Sequence, residues 1–348
     1  MAKIRRDEEA IRALTEVFED RLRPPHPGEV ANADAALAAV SPMSVEEVRW
    51  LAEVAARYSV PLSPLGAGTG TEPRAVEGSV IVRFDLMRRV RLPDGDEPWV
   101  EAEPGATWLQ LEDALRARGR GIAVYPTSAP RATVGGWLAT DGLGVGSFEH
   151  GRLRENVLSV DVVTRGGEMR EVGGEELGAF FGPVEASGVV VAARIGTRRS
   201  DADLPVGAAF PGPDGVAGAV ADLVDSAAAT PLWHLAFVSP VMAAARGLRE
   251  RYLLYGVYPR PRDSEDWWAL RKRVIEVHGG EELDVREAWR VWGQRFFPVA
   301  PAQPPPHAAR RLVTVAGLSQ ELESSRPEDA FQGTVSRSGD VLLLALGE

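Results

Sequence analysis

The residues best placed to do chemistry are glycines. Gly66, Gly68 and Gly70 fall within "PLSPLGAGTG", dense enough for a backbone to wrap closely round a phosphate. The spacing is GxGxG. A dinucleotide-binding turn of Rossmann type needs GxGxxG where a strand runs into a helix, and here Pro73 discourages a helix. A Walker A loop would end Gly-Lys-Ser/Thr, which is absent. Taken alone, the loop fits an irregular turn as well as a phosphate site. A second stretch, "YPTSAPRATVGGWLATDGLGVGSFEHG", sets Gly135, Gly136, Gly142, Gly144, Gly146 and Gly151 among small and hydroxyl residues. Two such surfaces are hard to explain as chance loops.

Other chemistries are excluded by what the chain lacks. It has no cysteine, hence no thiolate nucleophile, cysteine-ligated zinc or cysteine-held iron–sulfur cluster. His26, His150, His234, His278 and His307 are scattered without metal-ligand spacing, so no metal site is expected. A net charge of −11 argues against a nucleic-acid partner. No apolar run approaches the ~20 residues needed to span a bilayer. The amphipathic start lacks a signal-peptide core. The expected location is cytoplasmic, with peripheral attachment at the inner face of a membrane left open. The length of 348 residues suggests two domains.

The elements that would position the glycines are legible in the pattern. Ser44 followed by Glu47 is a capping-box start, and the apolar spacing of Val45, Val48, Leu51 and Val54 predicts a helix over 45–57. "VPLSPL" and "GSVIVRF" read as strands on either side of the first loop. "PWVEAEPG" reads as a strand, and Thr107 with Gln110 opens a helix closed by Gly119. "VLSVDVV" and "MREV" form a hairpin about "RGGE". Beyond residue 203, strand and helix signals alternate, suggesting an antiparallel sheet with helices on one face. Trp267, Trp268, Trp289 and Trp292 fall in helical stretches and read as core. His234, in the apolar run "PLWHLAFV", reads either as a base or as a satisfied core histidine.

In order, "PLGAGTG", "YPTSAPRATVGGWLATDGLGVGSFEHGRLRENVLSVDVVTRGGEM" and "FFGPVEASGVVVAARI" resemble the FAD-binding domain of the vanillyl-alcohol oxidase / p-cresol methylhydroxylase superfamily. Within it the chain is most similar to FAD-linked oxidases of 2-hydroxy acids, of the kind that includes the FAD-binding subunit of bacterial glycolate oxidase. The resemblance covers roughly residues 40–200. It implies an α+β protein: a two-subdomain FAD-binding domain of p-cresol methylhydroxylase type over 1–202, with a helical lead-in at 1–40, then a small α+β (ferredoxin-like) cap over 203–348.

The same resemblance implies which residues hold FAD, non-covalently. They are Pro64, Gly66, Ala67, Gly68, Thr69, Gly70 and Thr71 in the first loop, and Pro126, Thr127, Ser128, Thr133, Gly135, Gly136, Ala139, Thr140, Gly142, Ser147, His150, Gly151 and Val157 in the second stretch. Gly188, Val189 and Val190 complete the set. Glycines serve there by allowing close backbone approach and unusual angles, and Arg154 continues the second motif. The chain departs from the family at Glu72, Pro73 and Asp141. "AWRVWGQRFFP" resembles a segment in which an arginine approaches a carboxylate substrate, which makes Arg295 the candidate anchor, with His234 beside it as the other catalytic candidate. The implied activity is oxidation of a small 2-hydroxy acid such as glycolate or D-lactate. The implied partners are an iron–sulfur subunit and a second flavin subunit in a hetero-oligomer. A non-catalytic assembly subunit and a flavin reductase sharing the fold are the alternatives.

Overall fold

A computed structural model describes residues 2–27, 30, 32–69, 75–181, 188–200, 202–297 and 309–346, which form three sheets. Gly70, Thr71, Glu72 and Pro73 lie outside the described residues, as do 182–187 and His307.

The centre of the first sheet follows from two short apolar runs, Ala38–Val40 and Val80–Val82, the pattern of strands buried on both faces. Ala38–Val40 and Leu62–Leu65 pair in parallel with Val80–Arg83, and Leu22–Arg23 adds an antiparallel edge. The helix Val45–Arg57 covers it with Val48, Leu51, Ala52, Val54 and Ala55, the spacing of one helical face. The helix Ala2–Phe18 adds Ala10, Leu14 and Phe18 to the same core. Ser44 caps the Glu47 N–H at 3.2 Å, but the capping box is only half formed. Glu47 turns its carboxylate to Arg21, at 2.5 and 2.9 Å, and accepts the Met43 N–H at 2.8 Å instead of that of Ser44.

The second sheet is antiparallel, ordered Val90–Arg91, Trp99–Ala102, Val189–Arg199, Val157–Val163, Met169–Gly173, with Arg120–Ile122 paired to the far end of Val189–Arg199. The helix Trp108–Arg116 opens with the complete Thr107–Gln110 capping box and buries Trp108, Leu111 and Leu115 against this sheet.

The third sheet has seven strands. Asp203–Phe210, His234–Val238, Tyr252–Pro259 and Glu281–Glu282, with the helices Pro213–Asp225 and Glu265–Val277, give the spatial order 4-1-3-2 of a ferredoxin-like unit. A further strand–helix–strand–strand unit follows: Ala309–Thr314, Val315–Glu323, Phe331–Val335 and Asp340–Ala345. Its strand Phe331–Val335 pairs antiparallel with His234–Val238, so the two units make one sheet. The helices Pro213–Asp225, Glu265–Val277 and Val315–Glu323 pack on one face. The expectation of helices on that face alone is corrected, because Pro240–Ala245 and Val285–Gly293 pack on the other. Trp267 is core, but Trp268 and Trp289 are 40% and 48% exposed, contrary to expectation. Side chains alternate across a strand, so His234, Tyr255, Gln332 and Arg310 share the inner face, turned to the second sheet and its loops. Among the described residues no helix is long and apolar enough to cross a membrane.

Gly105 is a joint between the first two sheets. Its N–H donates to Met87 O at 2.9 Å, and a Cβ there would lie 1.7 Å from Phe84 O. Gly105→Ala should therefore lower stability by about 3 kcal/mol. Gly178→Ala, where a Cβ meets nothing within 4 Å, should stay within about 0.5 kcal/mol of the parent. Urea midpoints of the two variants check this.

Candidate functional site

The two glycine surfaces meet. After the strand Leu62–Leu65 the chain passes Gly66, and a Cβ on that residue would lie 2.7 Å from Gly136 Cα and 3.0 Å from Thr133 Oγ1. Gly136 belongs to the short helix Val134–Leu138, whose cap is Thr133. Gly135 is hemmed in by Pro104, 2.8 Å from where its Cβ would be. None of these three has a positive φ, so what they supply is space rather than unusual angles. Gly68 is different: its φ is +66° and a Cβ there meets nothing within 4 Å. The N–H groups of Gly68 and Thr69 find no acceptor among the described residues. Backbones in contact with amide donors unspent suit an anion such as a dinucleotide pyrophosphate. Pro64 lies exposed on the approach, and Thr140 spends its hydroxyl on Gly136 O at 3.2 Å, one residue past the helix C-cap Ala139.

The second stretch is folded back on itself. Tyr125 bridges to Val145, and a Cβ on Gly144 would lie 2.1 Å from Tyr125 O. Pro126, Thr127 and Ser128 turn away from that bridge towards Thr133, with Thr127 buried. Ser147 is buried and accepts the Gly144 N–H at 2.8 Å. Asp141, at φ +46° and buried, accepts the Arg154 backbone N–H at 3.0 Å and is ion-paired with that side chain. Its charge is thus neutralised from within the motif. His150 ends a short helix beside Glu149, and burial lowers its pKa against the pull of that carboxylate. Gly151 takes φ +69°, Val157 begins the strand that follows, and Gly188 takes φ +123° where a Cβ would strike Val163 O. Val189 and Val190 are held in the ladder against Val163 and Val162.

The inner face of the third sheet grips this stretch. His234, fully buried, accepts the Gly146 N–H on Nδ1 at 3.3 Å. That bond fixes the neutral tautomer with its proton on Nε2, which has no partner among the described residues. Burial first, then Arg295 and Arg198, push its pKa down to about 3. Trp233 donates to Ala123 O at 2.9 Å. The Phe297 N–H donates to Thr127 O at 2.9 Å. Arg295 donates through Nε to the Tyr125 hydroxyl at 3.0 Å and through Nη1 to Trp292 O at 3.1 Å, with its Cζ 4.2 Å from the ring centroids of both Trp292 and Phe296. Burial pushes the Tyr125 phenol up to about 12. Gln332 donates to Arg295 O at 3.0 Å and accepts from Arg246 at 2.7 Å.

The structure thus brings Arg295 and His234 to the seam where the second glycine stretch meets the third sheet. Sequence reasoning missed Tyr125, Gln332 and Arg310. Arg310 sits on the inner face with its Nη2 3.3 Å from where a Gly142 Cβ would be; burial lowers its pKa, and it has no partner among the described residues. Only Gln332 carried a signal, as a polar residue at an inner position of the apolar strand Phe331–Val335.

Residues 36–173 match the family described as FAD binding domain. Over 132 residues the chain is 34% identical to the mitochondrial D-lactate dehydrogenase [cytochrome] of Arabidopsis thaliana, covering 37% of this chain and 23% of that protein. It is 36% identical to D-2-hydroxyglutarate dehydrogenase of Escherichia coli (strain K12) over 136 residues, 38% of this chain and 13% of that one. The matches therefore span under a quarter of either relative. Among solved structures, alkyldihydroxyacetonephosphate synthase superposes with TM-score 0.75 at 17% identity, over 97% of this chain and 77% of that one. p-Cresol methylhydroxylase with substrate bound gives 0.74 at 13% identity, over 99% and 83%.

Two outcomes are expected from this geometry. Gly136→Val, placing branches against Gly66 and Thr133, should abolish flavin retention on purification and leave the circular dichroism spectrum close to the parent's. Full flavin content would show that Gly136 merely turns the chain. His234 stays neutral in the folded state down to about pH 3, whereas the unfolded chain takes up a proton below ~6.5. Its share of stability is therefore whole above pH ~6.5 and falls as the pH drops from there towards 3. His234→Gln should flatten the loss between pH 7 and pH 5 by about 2 kcal/mol, read from urea midpoints. Residues 36–173, which hold Gly136 and the stretch that His234 grips, are thus similar to an FAD binding domain, in a chain with the fold of p-cresol methylhydroxylase.

Proposed function

We propose that the chain is an FAD-dependent oxidoreductase acting on the CH–OH group of a small 2-hydroxy acid, of glycolate or D-lactate type. The observation that carries this reading is Arg295, held at the seam by Tyr125 with both Nη2 hydrogens unspent among the described residues. A guanidinium so placed can hold a carboxylate by two parallel hydrogen bonds. The relatives named D-lactate and D-2-hydroxyglutarate dehydrogenases support the same class of substrate.

FAD, when bound, supplies the acceptor for the substrate hydride. The loops at 66–69 and 133–136 would hold its pyrophosphate without a covalent link, and Gly188, Val189 and Val190 would flank its ring. Arg295 anchors the carboxylate. His234, its Nδ1 occupied by Gly146, offers Nε2–H as a donor and so orients a substrate oxygen rather than taking its proton. Trp233, Trp292 and Phe296 keep water from the seam. Electrons then leave to partner subunits in a cytoplasmic hetero-oligomer, one carrying iron–sulfur clusters and one a second flavin, because a chain without cysteine offers no cluster of its own. Asp141 gives little support to a non-catalytic assembly subunit, since Arg154 neutralises it.

Anaerobic mixing of the flavin-loaded protein with glycolate, D-lactate or D-2-hydroxyglutarate should bleach the visible flavin band for at least one of them. Bleaching by NADPH alone would favour the reductase alternative, and rapid peroxide-forming turnover with oxygen would make the partners unnecessary. In the same assay Arg295→Lys should raise KM about tenfold, since lysine keeps the charge and loses the planar fork. Arg271→Lys should leave KM unchanged, because Arg271 is spent on Glu282 and Trp268.

A further inference from the structure

We propose that Tyr125 is the positioning residue of the Arg295 guanidinium and thereby sets how tightly the seam holds a carboxylate. The inference rests on the proposed role of Arg295 as anchor. A guanidinium has five N–H donors in a rigid plane. Here the Nε edge is closed by the Tyr125 hydroxyl at 3.0 Å, and one Nη1 hydrogen goes to Trp292 O at 3.1 Å. Among the described residues this leaves one hydrogen on Nη1 and both on Nη2, and a carboxylate held by this group would take its parallel bonds from the Nη nitrogens. The rings of Trp292 and Phe296 pack against the group but do not fix its rotation in the plane. The Tyr125 bond does so together with the bond to Trp292 O, and of the two it alone comes from a side chain that can be removed.

Tyr125 is suited to this by where it comes from and by its charge state. It is 1% exposed and belongs to the FAD binding domain, so its bond crosses the seam. Burial keeps the phenol protonated across the working pH range. A phenolate would pair with the guanidinium and cancel the charge a substrate carboxylate needs. A neutral hydroxyl orients Arg295 and leaves that charge whole. The hydroxyl hydrogen remains free to donate, since accepting from Nε uses only an oxygen lone pair.

The test uses flavin-loaded protein and oxalate, a carboxylate that cannot be oxidised at a CH–OH group, with binding read from the shift it causes in the visible flavin band. Tyr125→Phe should weaken oxalate binding about fivefold, the worth of one lost hydrogen bond, and raise KM by the same factor with kcat nearly unchanged. In an Arg295→Ala background, which should itself weaken oxalate strongly, Tyr125→Phe should have no further effect. An equal effect in both backgrounds, or none in the parent, would overturn the proposal. So would loss of flavin from Tyr125→Phe, which would place Tyr125 in the cofactor site itself. If Arg295→Ala leaves oxalate affinity intact, the anchor reading falls instead.

Discussion

Everything at the site depends on two backbones coming closer than side chains permit. Gly66 and Gly136 face each other so nearly that a Cβ on the first would lie 2.7 Å from the Cα of the second. Neither residue has a positive φ, so the constraint is steric and alanine already violates it. The first loop leaves a parallel sheet, and the helix of Gly136 is tied to Ala106 and Pro104 at the start of the second sheet's helix. The contact therefore fixes how the first two sheets sit on each other. With the backbones pinned, the amides of Gly68 and Thr69 keep their donors for a ligand.

The second constraint is the inner face of the third sheet. Buried strands are ordinarily apolar, yet His234 and Gln332 are both wholly buried there. Burying a polar group without a partner costs about 1–3 kcal/mol, so these positions are filled by a network rather than by isolated residues. Gln332 ties Arg246 to the Arg295 carbonyl, Arg295 ties the segment 292–297 to Tyr125, and His234 ties the sheet to Gly146. Among the described residues His234 Nε2 and Arg295 Nη2 are left without partners along the seam.

Much of this was legible and some was not, for definite reasons. The helix Val45–Arg57 and the strands around the first loop follow from apolar period, and the Thr107 box closes as its spacing dictates. The Ser44 box does not, because Arg21, 26 residues away, claims Glu47, and a local motif carries no information about a distant cation. Trp268 and Trp289 show the same limit: their helices were predictable, but which tryptophan on each faces the sheet depends on what packs there. The first loop came from motif order, and Arg295 from the resemblance of the single segment "AWRVWGQRFFP". Tyr125 and Arg310 carry no motif, since each acquires its role only from the residue that the tertiary fold sets opposite.

The charge balance of the seam narrows what it can hold. Its imidazole is neutral with Nδ1 already accepting a bond, its phenol is protonated, and Arg295 and Arg310 are cations. Each therefore presents a donor. Of the two acids in the glycine stretch, Asp141 is spent on Arg154 and Glu149 is paired with Arg262, and Glu112 accepts the Ile122 N–H while burial raises its pKa. A site that is rich in donors and whose nearest acids are engaged is complementary to an anion with several oxygens. A neutral alcohol would leave the guanidinium unmatched, and a cation would be repelled outright. Under the proposed function a 2-hydroxy acid would offer a carboxylate to the arginine and a hydroxyl oxygen to the Nε2–H of His234, so the donors that disfavour other ligands would also set which end of the substrate faces which residue.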